Sequence, residues 1–165
     1  MRDKAARAAP DAAFAMGQTY QRYVRDLLAQ RSHPAGTWTN SPRGAPPAEV
    51  SSELRRSVTC VRGPGGGTYG SARVGPHTVY ARLQEKGGVI HAHRRVRGGW
   101  TGAYLGGRRG PGQHTLHFVV NGVDYFPMEV TIPKRPYMRP ALEQTVASGA
   151  LRNAAAASFL REVYG

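Results

Sequence analysis

The side chains best suited to chemistry in this sequence are its histidines, its single cysteine and an arginine–aromatic cluster, and spacing limits each of them. His91-x-His93 puts two imidazoles on one face of an extended segment, and His114-x-x-His117 adds two more, so adjacent strands could gather a zinc site. No carboxylate or cysteine at metal-ligand spacing accompanies them, and residues three apart on a strand point to opposite faces. The expectation is therefore no metal and no cofactor. Cys60, the only cysteine, lies among β-branched residues as a buried strand cysteine does; alone it can form neither an intrachain disulfide nor a thiolate cluster. Ser57 and Ser71 lack the Gly-x-Ser-x-Gly elbow of a nucleophile. Gly63-Pro64-Gly65-Gly66-Gly67 and Gly106-Gly107-Arg108-Arg109-Gly110 lack the Gly-Lys-Ser/Thr ending of a phosphate loop and read as turns. No catalytic constellation emerges, so the chain is expected not to be an enzyme; a metal-dependent enzyme using the histidine pairs is the weakest alternative.

Charge points to partners instead. Lys plus Arg total 23 against 10 Asp plus Glu, a net +13 with a pI near 10.9, which favours acidic surfaces or nucleic acid. A G+C-rich coding sequence explains the abundance of Arg, Ala and Gly equally well. From Arg94 the chain is basic and glycine-rich, with Trp100, Tyr104 and Leu105 as its large apolar groups. Such a stretch cannot bury enough to fold alone and reads as a mobile arm over 94–113, ordered only against a neighbour. Arg97, Arg108 and Arg109 interleave there with Trp100 and Tyr104, the mix that pairs phosphate attraction with base stacking. The same arm suits an acidic protein surface.

The elements that must position these groups are short. Tyr20, Val24, Leu27 and Leu28 recur at helical spacing, with Pro10-Asp11 marking the start of a helix over 10–32. Pro- and Gly-rich sequence over 34–47 reads as a surface connection anchored by Trp38. Ser51 caps a helical turn that feeds the strand Ser57-Val58-Thr59-Cys60-Val61, and the glycine cluster turns it back through 68–74. Residues 79–85 read as a helix stopped by Gly87-Gly88, then 89–93 as a strand. Asn121-Gly122 supplies the positive φ angles of a type I′ hairpin between 114–120 and 123–126, and Val130 and Ile132 finish the sheet edge. A last helix runs over 140–164, with Gly149 as a break and four consecutive alanines, 154–157, allowing close approach of a neighbour. The fold class expected is α+β in one domain, 1–165: a small, mostly antiparallel sheet flanked by N- and C-terminal helices, with a long glycine/arginine-rich arm. No apolar run is long enough to span a bilayer, and the first residues lack a secretory pattern; a soluble protein made in the cytoplasm is expected.

The run Ile132-Pro133-Lys134-Arg135-Pro136-Tyr137-Met138-Arg139-Pro140-Ala141-Leu142 joins that edge strand to the last helix. Its prolines remove backbone donors and fix φ, so it must cross rigidly; Pro140 suits a first helical turn, where its missing N–H costs nothing. Tyr137 and Met138 are expected to pack inward, with Lys134, Arg135 and Arg139 wet.

This corner resembles the same box in the tail-completion (neck, head–tail joining) proteins of long-tailed phages. Arg55-Arg56-Ser57-Val58, Val74-Gly75-Pro76 leading to Tyr80-Ala81-Arg82, and Gln84-Glu85-Lys86-Gly87-Gly88 look like further blocks of that family in the same order. The family commonly has Phe-Gly where this chain has Lys86-Gly87, and the arm is longer than usual. The resemblance covers Tyr20 to the C-terminus. It implies a non-enzymatic virion protein, made in the host cytoplasm, that forms a homo-oligomeric ring in the neck. That ring is sixfold, or alternatively joins a twelvefold connector layer. Its implied partners are the head connector or stopper, the tail terminator or tail tube, and phage DNA in the channel, with no membrane. The residues expected at its interfaces are Arg97, Trp100, Tyr104, Arg108 and Arg109 in the arm, and Pro133, Arg135, Pro136, Tyr137, Met138 and Pro140 in the corner. The alternative from another class is a basic, sequence-nonspecific nucleic-acid-binding protein.

Overall fold

Alanine-rich sequence with strong helix propensity builds the longest element, α1 (Arg2–Ala29), in a computed structural model that describes residues 2–30, 41–42, 44–48, 51–91, 116, 118–120 and 122–164. The helix expected to start at Pro10 starts earlier, and Pro10 lies inside it. Proline there removes one ladder bond, but alanines on both sides carry the helix through it, and the chain at Gly70 lies directly against the Pro10 backbone. Val24, Leu27 and Leu28 form the buried stripe that the spacing required.

After α1 come α2 (Glu53–Ser57), β1 (Thr59–Arg62) and β2 (Ala72–Gly75), the last two paired antiparallel with Cys60 opposite Val74. Ser52, not Ser51, occupies the cap position of α2; it sits at φ +60 and gives no side-chain cap. Ser57 closes that helix and does not begin the strand, because its hydroxyl donates back to the Leu54 carbonyl at 2.7 Å. α1 lies on the β1–β2 hairpin at Gly17, where a Cβ would stand 2.6 Å from Cys60 Sγ and 2.8 Å from Ala72 Cβ. Only glycine permits that approach.

α3 (Ala81–Lys86) ends at Gly87, φ +72, and leads directly into β3 (Gly88–His91). β3 pairs antiparallel with β6 (Glu129–Ile132), and β4 (Phe118–Val120) pairs with β5 (Val123–Tyr125) across Gly122, φ +78. The fold is thus α+β with flanking N- and C-terminal helices, its strands arranged among the described residues as three separate two-stranded antiparallel ladders. The C-terminal helix begins at Met138, two residues before Pro140, and Gly149 (φ +70) divides it into α4 (Met138–Ala147) and α5 (Ala150–Tyr164). α5 lies along α1, its most extensive neighbour, with Ala154 and Ala155 half-buried.

The core is small: Val24, Leu27 and Leu28 from α1, Val58 between α2 and β1, and Tyr137 and Ala141 at the start of α4, ringed by Tyr20, Tyr23, Leu54, Val74 and Met138.

Candidate assembly interface

The corner before α4 is built from main-chain donors that proline leaves in place and one carboxylate that collects them. Neither Tyr137, at the cap position, nor any neighbour caps the helix with its own side chain. Glu85, on α3, reaches across: Oε2 accepts the amides of Tyr137 at 2.8 Å and Met138 at 3.0 Å, and Oε1 accepts that of Arg139 at 3.3 Å. The next residue is Pro140, which has no N–H, and Ala141 N–H already donates to the Tyr137 carbonyl. Every orphan donor of the first turn is therefore satisfied or absent. A carboxylate at a helix N-terminus also meets the positive end of the macrodipole.

α3 holds the corner from its other side too. The Arg135 amide donates to the Gln84 carbonyl at 2.8 Å, and the Lys134 carbonyl accepts from Gly44 at 3.2 Å. A side chain at Gly87 would meet the Lys134 nitrogen at 2.9 Å, so the Gly87 turn and the corner fit only because that position is bare. Tyr137 is fully buried, and its hydroxyl is directed at the Ala81 carbonyl, 3.5 Å away. The Tyr20 hydroxyl donates to the Met138 carbonyl at 2.8 Å, tying α1 to α4. Burial, with the Glu85 charge second, pushes the Tyr20 phenol up to about 12 and raises Tyr137 for the same reasons.

Of the corner residues named from sequence, Tyr137 and Met138 pack inward and Lys134 and Arg139 are exposed, as expected. Arg135 departs from expectation: it is half-buried, its Nε enclosed without an acceptor among the described residues. Pro133, Pro136 and Pro140 are each half-buried, so the corner is a clamp within the subunit with only its rim outside. Arg97, Trp100, Tyr104, Arg108 and Arg109, and with them the arm over 94–113, lie outside the described residues, as does the helix end expected over 31–32.

Several large apolar side chains also face outward. Leu142 and Val146 on α4 and Phe159, Leu160 and Tyr164 on α5 are exposed, Val146 by 62% and Tyr164 by 75%. Val119, Val123, Tyr125, Phe126 and Met128 are exposed on and beside the β4–β5 hairpin. All three residues of β5 are exposed, and a two-stranded ladder on its own is marginal in water. Sequence reasoning missed Glu85 as the cap and the β5 face as a surface. The missing Ser, Thr, Asp or Asn before a proline-marked helix start was the one available sign that a cap comes from elsewhere.

Of the groups considered for chemistry, His91 and Cys60 are described and lie on different ladders. His91 Nδ1 lies 3.2 Å from Glu129 Oε2, its cross-strand partner. His93, His114 and His117 lie outside the described residues. Among the described residues no three His, Cys, Asp or Glu side chains could hold a metal ion. Cys60, on β1, faces α1 at Gly17 and is half-buried where a buried strand cysteine was expected; that burial still pushes its thiol up, away from the reactive thiolate. No described helix is long and apolar enough to cross a membrane.

Comparison with protein-family models, with curated proteins and with solved structures finds no match for this chain.

Proposed function

We propose that this chain is a structural virion protein of the phage neck: a ring-forming, non-catalytic tail-completion or head–tail joining component. It links the head connector or stopper to the tail terminator or tail tube, after synthesis in the host cytoplasm. The family resemblance of the corner and the blocks before it supplies the identity of the assembly. One observation carries the assembly role itself: among the described residues, large apolar side chains in the open outnumber those in the core. Singly scattered apolar residues are ordinary, but Leu142 with Val146 on α4 and Leu160 with Tyr164 on α5 stand one helical turn apart, and adjoining exposed apolar side chains mark interaction surfaces. A subunit that repeats around a ring covers them with its own copies, and closed symmetry is how such contacts terminate.

The corner fits this role. Glu85 and the prolines fix α4 at one angle to β6, so the exposed faces of α4 and α5 keep a set position relative to the β3–β6 ladder. A rigid element presents an interface at lower entropic cost than a flexible one. Native mass spectrometry with electron microscopy of the purified full chain tests self-association. Closed rings, or rings nucleated by purified tail tubes, are expected; a monomer at every concentration that also ignores tail tubes would contradict the proposal. The net charge of +13 favours a second reading, a basic protein that binds nucleic acid without sequence preference.

A further inference from the structure

Four guanidinium groups converge on one groove that the assembly reading leaves unused. Gln18, Gln21, Arg22, Arg25 and Asp26 follow helical spacing along one face of α1, and α2 sets Arg55 and Arg56 beside them. Together they line an open groove of about 670 Å³ with four arginines and one carboxylate. The α1 wall is tied to one buried residue. Val58 is fully buried, and its carbonyl accepts both Gln21 Nε2 and Arg25 Nη2 at 2.8 Å. Arg56 Nη2 donates to the Ser51 carbonyl at 2.6 Å and its Nε to that of Ser52 at 3.4 Å.

These anchors are neutral. Arg25 and Arg56 are oriented by main-chain oxygens, and neither they nor Arg22 form an ion pair among the described residues. The charges of Arg25 and Arg56 are therefore held in place without an ion-pair partner, with Asp26 the one carboxylate lining the groove among the described residues. Arg25 Nε is enclosed and has no acceptor among the described residues. Small-molecule sites are concave and mainly apolar, whereas this groove is wide and polar. No aromatic ring among the described residues lines it to give the platform on which unpaired bases stack.

We propose that the groove binds the phosphodiester backbone of duplex nucleic acid without reading its sequence. Guanidinium forks match phosphate oxygens, and backbone contacts fix position while carrying no base information. The residues of the site come from α1 and α2, outside the sequence of the arginine-rich arm, and the proposal stands whether the chain is a neck ring around DNA or a free DNA-binding protein.

The test is fluorescence anisotropy of a labelled random-sequence DNA duplex titrated with the full chain across a series of salt concentrations. Arg22→Gln with Arg56→Gln should weaken binding about tenfold or more at low salt and lower the salt slope by about two, close to one per lost phosphate contact. Arg73→Gln with Arg82→Gln removes equal charge from exposed positions elsewhere and should cost clearly less. Arg22→Lys with Arg56→Lys should keep the slope and lose affinity, because lysine lacks the fork. If the glutamine pair fails to fold, as thermal unfolding would show, the lysine pair decides, and unchanged affinity there overturns the site. Equal losses in the two glutamine pairs would reduce the effect to bulk charge and overturn it. So would loss confined to Arg108→Gln with Arg109→Gln. Competition by polyglutamate equal to that of unlabelled duplex would assign the groove to an acidic protein, and full competition by millimolar inorganic phosphate would assign it to a free anion.

Discussion

The Glu85 carboxylate lies 2.8 Å from the Tyr137 amide, joining α3 to the start of α4 across 52 positions of sequence. It is a helix cap supplied from another element. Glu85→Ala strands three N–H groups at the edge of the core and should cost about 1–3 kcal/mol, above an ordinary exposed cap because the acceptor is charged. Glu85→Gln keeps an acceptor oxygen and should cost less. Chemical denaturation of the three proteins gives the order directly; equal stability of wild type and Glu85→Ala would contradict the cap.

Alkaline pH should unlock the same region. Tyr20 is raised from 10.0 to about 12 in the folded chain, and Tyr137 is raised too. A folded-state value above the unfolded one contributes stability that is fully present below pH 10 and lost as pH rises through the folded value. The tyrosine contribution to unfolding free energy should therefore be constant up to about pH 10 and fall toward pH 12, with late tyrosinate absorbance appearing together with unfolding. Tyr20→Phe should lose the Met138 hydrogen bond, about 1 kcal/mol at neutral pH, and flatten the alkaline limb.

Gly17→Ala tests the seat of α1 on the hairpin. In an exposed helix this change would gain about 1 kcal/mol. Here the new Cβ would stand 2.6 Å from Cys60 Sγ, so a net loss of about 1–2 kcal/mol is expected from overpacking. Adding Cys60→Ala should recover part of that loss, since one of the two colliding atoms is gone. Thermal midpoints of the single and double variants decide it.

Much of the local structure was legible because local chemistry sets it. Gly87, Gly122 and Gly149 all take the positive φ that their places after a helix, in a tight hairpin and between two helices demand. The stripe of Val24, Leu27 and Leu28 had to be buried somewhere. The start of α1 was not legible, because Pro10 is a strong local signal that surrounding alanines override. Nor was the splitting of the strands into three ladders, since pairing depends on which distant segments meet. Glu85 stood in the sequence as a lone acidic residue of a short helix, and only the fold brings three amides to it. The prolines of the corner are plain in the sequence, whereas the bonds it receives from Glu85 and Gln84 of α3 are not, because those residues meet it only in the fold.

Exposed apolar positions on α4 and α5 should matter for association and not for folding. Val146→Asp with Leu160→Asp changes side chains that are 62% and 53% exposed, so each should move stability by only about 0.5 kcal/mol. Subunit association should nevertheless be lost. Sedimentation at matched concentration separates the two effects: unchanged assembly in a folded double variant would remove this face from the interface.

The most direct measurement of the joining role is electron microscopy of lysates from cells infected with phage lacking this gene, beside phage carrying Pro136→Gly with Pro140→Gly. Both prolines act at the corner, and glycine in their place should leave the subunit soluble while releasing the angle of α4. The account predicts DNA-filled heads and complete tails accumulating apart in the deletion, with little loss of either part and with reduced joining in the double variant. Normally joined, infectious particles in the deletion would contradict it.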